Sequence, residues 1–416
     1  MTPENSKNRI IINTMDTSDI KSDLIEDIKF DNVKFNINTD VAKQNRDTEV
    51  QSIDIEVNQK KIEDRIGKLI PKYKIDKPDQ FSNEFIEFFI NNNEIIFKLV
   101  KAEEIFCNYE NDTSRVIDYL IFRYKFRMSA QNKFAFESPL YLLIEPVSTC
   151  NLRCPFCFQT DKTFTKKPYM GVMDYDLFTK TVDEANEIGV RAITLGSRGE
   201  PTLHKRFADM IKYISDKENI FELKINTNAT FLTEKVARAV LENKVNQIVI
   251  SSDHYEKEEY ERLRLGSNFE KVVGNVDRLY EMRKNNFPKS ITEIRISGVD
   301  NEKNLDRKKF REFWIKRSDH VVAQWALERW NTYLNDTIDH LIEPCEYLFD
   351  RMYVWFDGKV NPCDADYKSY LSYGDVNENS ISEIWNGPKI KKLRSDHLNN
   401  KRNQIEPCNK CGVQFH

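Results

Sequence analysis

Through the middle of the chain, short apolar runs alternate with stretches whose apolar residues recur at helical spacing. The apolar runs predict strands at Leu140 to Glu145, Arg191 to Gly196, Glu222 to Asn226, Gln247 to Ser251, Glu293 to Ser297 and His320 to Trp325. Between them, Asp174 to Ile188 places Phe178, Val182, Ala185 and Ile188 on one helical face, behind an aspartate suited to capping the first turn. Thr233 to Asn243 and Asn268 to Lys284 repeat the arrangement. Strand-helix units joined by right-handed crossovers build a parallel sheet, and six of them can curve into an open barrel. In such a barrel the residues just after each strand become the candidate site.

The flanks read differently. Residues 1–74 are rich in Asn, Asp, Lys, Ile and Glu with little periodicity, which predicts a polar, partly disordered leader. From 75 to 137 the aromatic density rises, with Phe85, Phe88, Phe89, Ile95, Ile96, Phe97 and Leu99, and an α+β accessory subdomain is expected; Tyr119 to Phe126 fits either a strand or one helix face. The barrel then occupies 138–335 and a small extension 336–416. A length of 416 residues exceeds what one hydrophobic core normally holds.

A net charge of -4 supplies no overall basic field, so nucleic acid is not expected as a partner. No apolar run is long enough for a bilayer, so no membrane is expected either. Thiol-rich sequence without a secretory leader points to the reducing cytoplasm.

Those thiols carry the chemistry. Cys150, Cys154 and Cys157 lie together in Cys150-Asn151-Leu152-Arg153-Cys154-Pro155-Phe156-Cys157, directly after the first predicted strand. Three thiolates at this spacing read as ligands of one iron-sulfur cluster, and three leave one iron of a cubane open to a small molecule. A structural zinc loop and a disulfide pair are the alternatives; zinc wants a fourth ligand, and the nearest histidine, His204, is far along the chain. A second set, Cys345, Cys363, Cys408 and Cys411, supplies four thiolates, and its spacing alone slightly favours zinc.

The three-cysteine loop, with Phe156 at the aromatic position, resembles the signature of the radical SAM superfamily. That resemblance implies a partial (β/α)6 TIM-like barrel, a 4Fe-4S cluster and S-adenosylmethionine, cleaved reductively to a 5'-deoxyadenosyl radical. It implies cofactor contacts from Gly199, Glu200 and Pro201, where Arg198 replaces the family's first glycine. Further contacts are implied from Thr227 and Asn228, from Ser251 and Asp253, and from Arg264. Capping by Ser251 or Asp253 and a solvated helix-end Arg264 are the plain alternatives.

Trp355 to Cys363, Gly374-Asp375, Ser382 to Asn386 and Cys408-Asn409-Lys410-Cys411 resemble the SPASM/twitch extension of the same superfamily, which turns the second set toward an auxiliary 4Fe-4S cluster. Four ligands would leave no open iron there, so electron transfer is its expected role. Asp364 and Asp366, beside Cys363, are the candidate general bases for an oxidation. Trp325 to Tyr333 is a candidate wall of the substrate cavity.

The expected function is an oxidoreductase acting on a small hydroxylated molecule, such as a sugar or nucleotide-sugar, served by a reducing partner such as flavodoxin or ferredoxin. A peptide maturase is the alternative, disfavoured by the lack of a recognisable leader-peptide-binding domain. A noncatalytic zinc-binding interaction protein is the third reading. Cys107 stands apart from both sets and reads as a buried, inert thiol.

Overall fold

A computed structural model of the chain describes residues 52–76, 78–300, 304–325 and 332–413. Most of the predicted leader, and residues 326–331 of the predicted cavity wall, lie outside them.

The alternating units fold as their pattern dictates. Strands β1 (Tyr141–Ile144), β2 (Ala192–Leu195), β3 (Glu222–Thr227), β4 (Gln247–Ser251), β5 (Glu293–Asp300) and β6 (His320–Trp325) pair in sequence order, all parallel. The helices between them include α5 (Tyr175–Glu187), α6 (Phe207–Ser215), α7 (Glu234–Glu242), α8 (Lys257–Leu263), α9 (Phe269–Asn286) and α10 (Arg307–Trp314). Asp174, Thr233 and Asn268 cap α5, α7 and α9 by accepting from backbone N–H groups of the first turn. Leu142, Ile144, Ile193, Leu195, Leu223, Ile225, Ile248, Ile250, Ile294 and Ile296 pack outward against these helices in one core. The opposite strand faces are far more polar, because side chains alternate across a strand and the inner face lines a lumen rather than a second apolar layer.

The sheet does not close. Strand β7 (Arg351–Val354) joins the free edge of β1 in parallel, and β8 (Lys359–Asn361) and β9 (Gly374–Asp375) follow antiparallel, giving the order β6-β5-β4-β3-β2-β1-β7-β8-β9. The C-terminal extension is therefore continuous with the barrel sheet through main-chain hydrogen bonds. It adds the short helix α11 (Tyr347–Asp350) before β7, and α12 (Ile381–Trp385) and α13 (Pro388–Leu398) after β9.

The predicted α+β accessory subdomain is helical instead. It comprises α2 (Gln80–Asn92), α3 (Lys101–Tyr109) and α4 (Thr113–Asn132), joined by a helix that starts inside the predicted leader, α1 (Ser52–Gly67). The apolar run Ile95 to Leu99 looks like a strand in sequence but has no strand partner. Its backbone is satisfied by α1 side chains, with Ile95 N–H donating to Glu63 (3.0 Å) and Leu99 N–H to Gln59 (3.1 Å). Tyr119 to Phe126 resolve as part of α4, which sits beneath the strand N-termini. There Tyr119 and Phe106 stack at 4.0 Å, Phe221 packs against both rings, and Leu140 and Ala192 complete the core. Cys107 is fully buried in this core, and burial pushes its thiol well above the usual range. Among the described residues no helix is long and apolar enough to cross a membrane.

Candidate functional site

The loop after β1 is held from several sides. Ser148 N–H donates to Gly171 O (3.1 Å) and Gly171 N–H to Ser148 Oγ (2.8 Å), while Arg153 N–H donates to Leu265 O (2.9 Å) at the end of α8. Gln159 is buried beneath the loop and donates through Nε2 to both Ser148 O and Arg198 O, each at 2.7 Å. These ties bring Cys150, Cys154 and Cys157 to the C-terminal mouth of the barrel as free thiols. Burial raises all three, Cys150 to about 11 and Cys157 to about 12, and for Cys157 the neighbouring cysteines add to the rise. Thiols in such a pocket become thiolates when a cationic centre displaces their protons.

Gly199 has no room for a side chain. A Cβ there would lie 2.2 Å from Val147 O and 2.6 Å from Thr149 O, so the β2 loop can lie against the cysteine loop only with glycine at this position. Glu200 N–H then donates to Thr149 O (3.0 Å). The Glu200 carboxylate is buried, and burial lifts it above the usual range. It accepts from Thr202 N–H, the Thr202 hydroxyl, the Thr227 hydroxyl (2.7 Å) and Asn228 N–H (2.7 Å). Asn228 in turn reaches Asn151 Oδ1 (3.0 Å) and lies 3.8 Å from Cys150 Sγ. Pro201 begins the short turn after Glu200. Ala229 adopts the left-handed conformation (φ 59°), a backbone position that favours glycine.

Across the mouth, Arg264 Nε donates to Asp253 Oδ2 (2.6 Å), and Asp253 Oδ1 accepts from Val299 N–H (2.8 Å). Arg264 is buried, and its guanidinium lies in the electrostatic range of Cys154, whose thiol it lowers against the effect of burial. Ser251 ends β4 half-buried. Glycine, glutamate, asparagine, aspartate and arginine from the segments after β2, β3 and β4 thus converge around the three cysteines that follow β1.

Arg198, which departs from the resembled pattern, keeps an ordinary backbone; the unusual φ angles fall earlier, at Gly196 (157°) and Ser197 (115°). Its side chain turns away from the cysteines into a buried fork with Glu145, Nε to Oε2 at 2.7 Å and Nη2 to Oε1 at 2.5 Å. It also donates to Tyr367 O (2.9 Å) and lies 4.1 Å over the Trp355 ring. Sequence reasoning missed this contact and the role of Glu145, which shows in sequence only as a carboxylate closing an apolar run.

The second cysteine set also assembles. Cys363 follows β8, Cys408 and Cys411 flank one turn, and Cys345 N–H donates to His397 Nδ1 (3.2 Å). None of the four forms a disulfide, they lie within one another's electrostatic range, and burial raises Cys345 to about 11 and pushes Cys363 and Cys408 well above the usual range. Among the described residues no three His, Cys, Asp or Glu side chains group as a single metal ion requires. Four thiolates are the full donor set of a cubane held at its four corners, and the four cysteines present fit that group.

Asp366 lies just beyond. It is fully buried and accepts from the Tyr333 hydroxyl (2.5 Å), Tyr370 N–H (2.9 Å) and Leu371 N–H (2.8 Å); burial lifts it to about 6. Asp364 is half-buried near Tyr353. Phe158, one residue past Cys157, stacks on Tyr367 at 5.0 Å, and Tyr333 meets Tyr367 at 4.8 Å, so an aromatic wall joins the two cysteine loops. Of the predicted Trp325 to Tyr333 cavity wall, Tyr333 is placed in this wall and Trp325 lies half-exposed beneath Arg307.

Comparison with known proteins follows the same division. Residues 144–313 match the family model of the radical SAM superfamily, and residues 345–412 match that of an iron-sulfur cluster-binding domain, SPASM. A tungsten-containing aldehyde ferredoxin oxidoreductase cofactor-modifying protein from Pyrococcus furiosus is 40% identical over 114 residues, 27% of this chain and 30% of that protein. A probable GTP 3',8-cyclase from Methanococcus maripaludis is 29% identical over 248 residues, 51% of this chain and 81% of the relative. The chain spans only 62% of a Listeria welshimeri GTP 3',8-cyclase. Among solved structures, Streptococcus suis SuiB bound to precursor peptide SuiA aligns with a TM-score of 0.50 at 14% identity, covering 87% of this chain and 89% of that one, a likeness of fold.

Proposed function

The chain belongs to the radical SAM superfamily and carries a C-terminal SPASM extension, and from that premise we propose an oxidoreductase that removes hydrogen from a small hydroxylated molecule, a sugar or nucleotide-sugar being the favoured class. The observation that carries this reading is the seating of Gly199 and Glu200 directly against the cysteine loop. In this reading Cys150, Cys154 and Cys157 hold the first 4Fe-4S cluster, and Cys345, Cys363, Cys408 and Cys411 hold the auxiliary one. When bound, the first cluster and S-adenosylmethionine supply a 5'-deoxyadenosyl radical.

The chain's own residues do the positioning. Glu200 Oε2 has one main-chain donor, Asn228 N–H, and keeps a lone pair for an ammonium group. Asp253 fixes Arg264 through Nε, which leaves the terminal guanidinium nitrogens for a carboxylate. Thr227 and Asn228 orient Glu200, and Ser251 offers a hydroxyl near the nucleoside. Asp366 has its carboxylate occupied by three donors and holds the loop after Cys363 in place. Asp364 is the other candidate general base beside Cys363 and would receive a proton from the substrate, while a cluster on the four thiolates would supply an electron acceptor. The full set of four thiolates supports electron transfer there, because no ligand position remains for substrate.

Anaerobic incubation of reconstituted enzyme with fractions of cell extract, following 5'-deoxyadenosine release by mass spectrometry, tests the substrate class. Stimulation by a small polar fraction supports the proposal; stimulation confined to a peptide fraction would replace it with peptide maturation.

A further inference from the structure

We infer that Lys224 and Arg295 form an anion-binding subsite inside the barrel lumen, taking a phosphate or carboxylate group of the substrate. This inference rests on the small-molecule reading above and narrows it to an anionic substrate.

Both side chains face the lumen. Lys224 lies between Leu223 and Ile225, and Arg295 between Ile294 and Ile296, and those four apolar residues all belong to the helix-facing core. Alternation across the strand turns the two cations the other way. Each is half-buried.

The charged neighbours are largely engaged, except that Glu293 Oε1 is buried with no hydrogen-bond partner among the described residues. Glu222 accepts from the Tyr119 hydroxyl (2.7 Å) and Arg123 (3.2 Å) at the barrel floor. Glu293 accepts from Gln247 (2.6 Å) and lies 3.4 Å from His320. Arg351 forks onto Asp350 at 2.6 and 2.8 Å. Lys224 and Arg295, by contrast, have no hydrogen-bond or ion-pair partner among the described residues, and Arg295 Nε is buried without an acceptor.

Two cations facing one lumen from β3 and β5, with β4 between them and Arg295 two residues further up the register, are costly without counter-charge. Burial, and then repulsion from Arg295, pull Lys224 down to about 8; Glu222 and Glu293 offset this only in part. An anion bridging the two would relieve both burdens, with the Arg fork suited to two oxygens. The placement also serves the chemistry. Lys224 precedes Thr227, the Glu200 partner, by three residues, roughly 10 Å at 3.3 Å per residue. A small molecule anchored at its charged end would raise the other end to the mouth where the cysteine loop lies.

The test uses the full chain, reconstituted anaerobically, in isothermal titration with inorganic phosphate and, separately, succinate at fixed ionic strength. Wild type should bind at least one of them saturably, and Lys224→Gln and Arg295→Gln should each weaken that binding by about tenfold or more. Iron content and the unfolding midpoint identify variants that fold; if either Gln variant does not, Lys224→Met or Arg295→Met replaces it. Stronger binding of phosphate marks a phosphorylated substrate, and stronger binding of succinate a carboxylated one. Saturable binding of neither anion, or wild-type affinity in folded variants, overturns the subsite. Substrate-free cleavage of S-adenosylmethionine by wild type, measured on the same preparation, reports separately on the enzymatic reading.

Discussion

Arg198 and Glu145 form a buried two-pronged ion pair beneath the cysteine loop, at 2.5 and 2.7 Å. The pair joins the end of β1 to the β2 loop, and Arg198 extends the tie to Tyr367 of the extension. Removing one partner leaves a buried charge, which typically costs about 3–5 kcal/mol. Arg198→Met should lower the unfolding free energy by that order in denaturant titration. Loss of less than about 1 kcal/mol would mean that Glu145 finds another partner or takes up a proton.

Gly199→Ala should abolish productive assembly of the mouth, because the new methyl group would meet backbone oxygens that cannot swing aside. We expect 5'-deoxyadenosine formation to fall by about a hundredfold or more while most of the fold persists, as circular dichroism would report. Near-wild-type cleavage would show that the β2 loop can retreat without cost.

Cys408→Ala should remove one cluster and spare the other. Iron content should drop from about eight to about four atoms per chain, at four per cubane. Substrate oxidation should be lost while substrate-free cleavage of S-adenosylmethionine persists. Unchanged iron content would remove Cys408 from the ligand set.

Asp364→Asn should cut product formation by about a hundredfold, within the usual contribution of a positioned base, while leaving cleavage of S-adenosylmethionine in place. Asp366→Asn should act on stability instead, with a defined pH signature. Burial lifts the folded-state carboxyl from 3.8 to about 6, so the folded chain holds this proton across a window where the unfolded chain has lost it. The group's contribution to stability therefore falls as pH rises through that window. Relative to wild type, Asp366→Asn should become more stable as pH rises from about 4 to about 6. A pH-independent difference would place the ordinary carboxyl value at this position.

The barrel was legible because its outward positions are uniformly apolar and its helices carry local caps. Strands 247–251 and 320–325 fall where their patterns predict, and Asp174, Thr233 and Asn268 cap as their positions suggest. The site was legible where its residues cluster in sequence, as at Cys150 to Cys157. It was not legible where partners lie far apart: nothing local ties Arg198 to Glu145. Alternating polar residues such as Lys224, Gln247 and Arg295 within apolar strands were the available signal of a solvated lumen. The accessory helices were misread because Ile95 to Leu99 has a strand pattern whose backbone partners, Glu63 and Gln59, are side chains of a helix.

The central claim is that Cys150, Cys154 and Cys157 together arm the mouth of the barrel for cleavage of S-adenosylmethionine. Its most direct test compares 5'-deoxyadenosine formation by anaerobically reconstituted wild type and Cys154→Ala under a strong reductant. Cleavage by wild type and none by the variant is the predicted result; cleavage by the variant at the wild-type rate would contradict it.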